Sequence, residues 1–133
     1  MKNLITLIVI AALGTGCFSF TTTNKKVMFF DGNLKGMKKM AKTEECGYFI
    51  IFYASWDKRS EKFLNALEQP EVQQYLDKQY LAFKANIEDH EDLGQRYNIT
   101  HFPAVVAFNS KGWEVKRLSG STNSAEFISF LNN

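Results

Sequence analysis

The chain is predicted to fold as an α/β domain, a central mixed sheet with helices on both faces, in the order β-α-β-α-β-α-β-β-α. Three observations predict it. Tyr48 to Ala54 is a continuous apolar and aromatic run, the composition of a strand buried on both faces of a parallel sheet. Segments with apolar residues three and four apart alternate with such runs along the chain, as helices alternate with strands in a layered α/β fold. Near the C-terminus, Ala104 to Phe108 and Trp113 to Leu118 flank Asn109-Ser110-Lys111-Gly112, which reads as an antiparallel hairpin with its turn.

The elements follow in order. Val27-Met28-Phe29-Phe30 is a short strand closed by Asp31-Gly32-Asn33, turn and helix-start chemistry. Leu34, Met37, Met40 and Ala41 share one helical face with lysines between them, predicting a helix to about Glu45. After the strand Tyr48 to Ala54, Phe63, Leu64 and Leu67 mark a helix that Pro70 interrupts, and Val72, Tyr75 and Leu76 resume its period. Leu81 to Ile87 is a further strand, Asp89 to Tyr97 a short helix with an acidic start, and Phe127, Ile128 and Leu131 close the chain on a helix after the hairpin. No internal repeat or linker divides this region, and 133 residues leave little room for a second domain.

Sixteen basic against fourteen acidic residues give a formal charge of +2, too balanced for the electrostatic footprint of a nucleic-acid binder. Twelve Phe, five Tyr and two Trp supply a packed core. Two cysteines allow at most one disulfide within the chain and exclude a four-thiolate zinc site.

The first of them belongs to an address. Met1-Lys2-Asn3 is followed by Leu4 to Leu13, which carry no charge, a signal-peptide core too short to span about 30 Å of hydrocarbon. Leu13-Gly14-Thr15-Gly16-Cys17 resembles the lipobox of bacterial lipoproteins, although Gly14 stands where a bulky aliphatic residue is usual. The resemblance implies a signal peptide over 1–16, lipidation of Cys17 and a tether over 17–26. Ordinary cleavage near the same small residues is the alternative.

Within the rest, Tyr53-Ala54-Ser55-Trp56 after the central strand and Thr100-His101-Phe102-Pro103-Ala104 before the hairpin resemble the thioredoxin superfamily. The likeness runs from about Val27 to Asn133, and Phe63-Leu64 with Pro70-Glu71-Val72 resembles its bacterial envelope members with an extended second helix. It implies a thioredoxin-like three-layer sandwich over 27–133. The family places a Cys-x-x-Cys pair directly after this tryptophan, where a helix N-terminus activates the first thiol. Here the four residues are Asp57-Lys58-Arg59-Ser60. Dithiol exchange needs one sulfur to attack and one to resolve the mixed disulfide, so this loop is expected to be redox-inactive.

Ile51 stands where the family often buries an aspartate beside the second thiol, an apolar replacement consistent with the missing sulfur. Lys84 matches that aspartate's frequent lysine partner, or is a lysine snorkelling from a strand end. Asp57 suits a helix N-cap, with Ser60 and Glu61 in the same first turn. Lys58 and Arg59 are either a solvated first turn or a contact for an acidic peptide or anion. By the resemblance, Pro103 follows a cis bond, and Phe102 offers its backbone to an extended peptide with Trp56 as an apolar wall. The alternative is that Pro103 only shapes the entry to the next strand. Phe102 is bulkier than the residue usual there, which would narrow the groove.

Cys46, between Glu44-Glu45 and Gly47 at a helix end, sits where a thiolate is disfavoured; a bridge to an unlipidated Cys17 is the other arrangement open to it. His90 lies among Glu88, Asp89, Glu91 and Asp92, a charged helix start rather than a metal site. His101 reads as a surface-loop histidine. Gly14-Thr15-Gly16 falls in the leader, so no phosphate-binding glycine loop remains, and neither cofactor nor metal is expected.

The expected function is a lipid-anchored, periplasm-facing envelope protein that binds an extended peptide or an envelope protein through Trp56, Phe102 and Pro103. The alternatives are a thiol-disulfide reductase or isomerase acting through Cys46, and a structural subunit of an envelope complex.

Overall fold

The computed structural model describes residues 29–30, 32–120 and 123–133, with the backbone alone for 75–79. The leader over 1–16, Cys17 with its tether, and Val27 and Met28 of the expected first strand lie outside the described residues.

Asn33 begins helix α1 (Leu34–Thr43), its Oδ1 accepting the Gly36 N–H at 2.8 Å. The helix lays Met37 and Ala41 on the sheet and ends two residues before the expected Glu45. Glu45 itself has φ +52, a left-handed geometry that breaks the helical repeat and turns the chain towards the sheet. Strand β1 (Gly47–Tyr53) follows, and a Cβ on Gly47 would stand 2.9 Å from the Phe108 carbonyl oxygen, so the strands close here only around a glycine.

Helix α2 (Lys58–Leu67) and helix α3 (Pro70–Gln79) replace the single interrupted helix of the sequence reading. Pro70 opens α3, where its missing N–H costs nothing. Strand β2 (Tyr80–Asn86), helix α4 (Glu91–Arg96), strands β3 (Ala104–Phe108) and β4 (Glu114–Ser119), and helix α5 (Ser124–Asn132) complete the order. In the hairpin turn, Asn109 Oδ1 accepts N–H bonds from Lys111 and Trp113, both at 3.0 Å, and Gly112 takes φ +86. A bulge at Ala107/Phe108 shifts the pairing before Glu114. A capping box joins Asn123 and Glu126 at the start of α5, a pattern already written in Asn123-Ser124-Ala125-Glu126.

The sheet runs β2-β1-β3-β4. β1 pairs in parallel with β2, Gly47 opposite Tyr80 to Tyr53 opposite Asn86, and antiparallel with β3, Tyr48 opposite Phe108 to Phe52 opposite Ala104. The expected mixed α/β sheet is therefore present. Of the expected opening strand, the described residues show one parallel bridge, Phe29 to Ala82, with the Phe30 N–H on the Ala82 carbonyl at 2.8 Å.

Alternation along β1 divides the core. Tyr48, Ile50 and Phe52 join Met37, Ala41 and Leu93 on the face covered by α1 and α4. Phe49 and Ile51 join Phe63, Leu67, Val72, Phe127 and Leu131 on the face covered by α2, α3 and α5. There Phe127 meets Phe63 and Phe49 edge-on, at centroid distances of 5.4 and 5.8 Å. Lys116 of β4 fastens α5 by donating from Nζ to the Phe130 and Leu131 carbonyls.

Phe127 is fully buried and touches both α2 and β1. Phe127→Ala is expected to lower the unfolding free energy by about 3–5 kcal/mol, read as a lower urea midpoint at unchanged slope.

Candidate functional site

The carboxyl end of β1 delivers Ala54-Ser55-Trp56-Asp57 to the start of α2. Asp57 takes the N-cap position, 8 % exposed, with extended backbone. Its Oδ2 accepts the Ser60 N–H at 3.3 Å and the Ser60 hydroxyl at 3.1 Å, while Oδ1 accepts Arg59 Nε–H at 3.1 Å. Ser60, 1 % exposed, in turn accepts the Ala54 N–H on its hydroxyl oxygen at 3.2 Å. The two positions where the family pattern puts its thiols thus form a closed set of hydrogen bonds joining β1 to α2. Burial pushes the Asp57 carboxyl upward. The hydrogen bonds from Arg59 and Ser60 and the Arg59 charge outweigh it and hold the carboxyl below the usual carboxylate range. Arg59 is therefore Asp57's ion partner, and Lys58 is exposed.

Beside this cap, Trp56 is 68 % exposed. Its ring meets Phe102 edge-on, with centroids 6.5 Å apart. Phe102 is half-buried, its ring shared between Trp56 and the α1 face of the core. The Phe102-Pro103 bond is cis, Pro103 is buried, and its carbonyl accepts the Gly120 N–H at 2.9 Å. No backbone hydrogen bond among the described residues engages Phe102. Trp56 and Phe102 are thus in ring contact, with Pro103 next in the chain.

One member of the neighbourhood was missed. Ser55 donates its hydroxyl to Glu88 Oε1 at 2.8 Å, joining the loops after β1 and β2. The signal was the parallel register, because Tyr53 opposes Asn86 and the bonded residues lie two places beyond each. The acidic cluster around His90 disperses: Glu88 goes to Ser55, Glu91 to Gln95, and the His90 ring lies edge-on to Phe83. Among the described residues no group of three or more His, Cys, Asp or Glu is placed to hold a metal ion. His101 is exposed and bonds Thr100 at 2.8 Å. Ile51 is fully buried, and Lys84 is exposed with its ammonium over the Phe29 ring, 4.7 Å from the centroid.

Cys46 precedes β1, so a strand of seven residues at about 3.3 Å each puts it on the order of 20 Å from Asp57. It is a free, half-buried thiol, and burial followed by the Glu44 charge raises its pKa. Cys46 is accordingly expected to alkylate more slowly at neutral pH than an unperturbed cysteine, measured with iodoacetamide.

A folded-state pKa below the unfolded value of about 3.9 means that the stability Asp57 contributes is complete above that value. It is lost as pH falls through the lower folded pKa. Asp57→Asn is expected to have the lower urea midpoint at pH 7, and the gap to the parent should close only below about pH 4.

The chain as a whole is similar to known proteins. The curated thioredoxin of Mycoplasma genitalium is 34% identical over 88 residues, 63% of this chain and 78% of that protein. The solution structure of a thioredoxin from Thermus thermophilus superposes with a TM-score of 0.68 at 21% identity, covering 74% of this chain and 81% of the other. A structure described as DsbH oxidoreductase gives 0.70 at 14% identity, covering 86% and 90%. The family model described as a thioredoxin-like domain matches residues 34–133, nearly all of the described fold, and the chain belongs to that family.

Proposed function

We propose that this chain is a thioredoxin-like binding module of the bacterial envelope, held at the membrane through lipidated Cys17 and facing the periplasm, that takes an extended peptide or an envelope protein without dithiol exchange. The observation that carries the reading is Trp56, largely exposed beside Phe102, whose backbone has no hydrogen-bond partner among the described residues. An extended chain bonds such a backbone as an added strand, and an exposed indole beside it covers an apolar side chain. Asp57 and Ser60 support the second half of the reading, since neither carries a sulfur and each is committed to the start of α2. Cys46 stands at the other end of β1 with a raised pKa, which argues against its serving as an exchange thiol at this loop. The anchor rests on the leader and Cys17 of the sequence.

In a Trp113→Phe background the indole emission reports Trp56. Titration with a permanently unfolded, tryptophan-free carboxymethylated polypeptide should quench or shift it saturably. Trp56→Ala should weaken binding, followed calorimetrically, by about tenfold or more; equal binding in the variant removes the groove from the proposal. Insulin reduction should not exceed the buffer rate, and activity that disappears with Cys46→Ser would overturn the non-redox assignment. Mass spectrometry of the mature protein should find a diacylglyceryl group on an N-terminal Cys17, and an unmodified N-terminus elsewhere would remove the anchor.

A further inference from the structure

On the α1 side of the sheet, the start of α1 and helix α4 leave a pocket of about 570 Å³ between them. It shares no lining residue with Trp56, Phe102 and Pro103. Its apolar lining comes from Leu34, Phe83 and Leu93, the last two at 5 % and 7 % exposure. Lys35 and Lys38, one helical turn apart, line it from α1, and Arg96 lines it from α4. Lys38 Nζ donates to the Tyr97 hydroxyl at 3.3 Å, which holds its ammonium at a part-buried position. Asp92 is the one carboxylate among the described lining residues, against these three cations. α1 contributes four lysines and no acidic residue, so its own sequence does not neutralise the site.

The volume is that of a small-molecule site, where apolar walls bind the body of a ligand and a few polar groups fix its head. Cations drawn from two helices around an apolar wall select against neutral and cationic molecules. We infer that this pocket binds a small organic anion, an apolar body seated on Phe83 and Leu93 with its charged head between Lys35, Lys38 and Arg96. Guanidinium and ammonium donors give charge-assisted bonds to a phosphate, sulfonate or carboxylate oxygen. The apolar wall separates such a ligand from bare inorganic phosphate, which would gain the charges alone.

The test is an amide-resolved NMR titration of the full chain with phenyl phosphate as probe, with inorganic phosphate and phenol as its two halves. Phenyl phosphate should shift the Leu34, Lys35, Leu93 and Arg96 amides saturably, and bind more tightly than either half. Lys35→Glu with Arg96→Glu should weaken it by about tenfold or more at unchanged binding of the unfolded polypeptide at Trp56. Should that pair fail to fold, Lys35→Gln with Arg96→Gln serves the same purpose. The inference is overturned by phenol binding as well as phenyl phosphate, by shifts centred on Trp56 and Phe102, by unchanged affinity in the charge variants, or by no saturable shift at the four amides.

Discussion

Burial of β1 on both faces is the constraint on which the rest of the molecule depends. Phe49, Ile50, Ile51 and Phe52 are all fully buried, and a strand can be covered in that way only at the centre of a sheet with helices above and below. Its two neighbours take different directions, parallel β2 and antiparallel β3. A parallel neighbour needs a crossover, and the chain supplies α2 and α3, whose Phe63, Leu67 and Val72 then cover Phe49 and Ile51. The carboxyl end of β1 is consequently a fixed point, and the candidate site is built outward from it.

At that fixed point the polar chemistry has been turned inward. A nearly buried carboxylate would be costly without partners. Asp57 has three donors, from Ser60 and Arg59, and Ser60 also receives the Ala54 N–H. These bonds seat α2 on the end of β1. The surface left above them is aromatic, with Trp56 standing against Phe102. The loop so built carries an exposed indole and no sulfur at positions 57 and 60. The proposed binding function rests on these two features.

Much of this was legible in the residues. The apolar run before Ala54, the helical spacing of Leu34, Met37 and Ala41, and the Asn109 to Gly112 turn each specify a local geometry through side-chain period or turn chemistry, and each formed within a residue or two of its expected bounds. Asp57 as an N-cap was equally readable, because a short acceptor before a helical face bonds the orphan N–H groups of its own first turn. Less legible were facts that need two distant segments. The Ser55 to Glu88 bond depends on the parallel register, and the role of Arg59 depends on how its guanidinium folds back on Asp57. The pocket formed by Lys35, Lys38 and Arg96 depends on the seating of α1 and α4 on one face.

By itself, then, the sequence determined the order of elements, the centrality of β1 and the absence of sulfur from positions 57 to 60. Periodicity, turn chemistry and composition are properties of neighbouring residues along a chain. Tertiary structure alone decided that Ser55 would bond Glu88 across the loops after β1 and β2 and that α1 and α4 would bring Lys35, Lys38 and Arg96 around one pocket. It alone also decided that Phe102 would share its ring between the core and Trp56, with no backbone hydrogen bond among the described residues. Those outcomes rest on which surfaces meet across the sheet, and packing of that kind is settled only when all the layers close together.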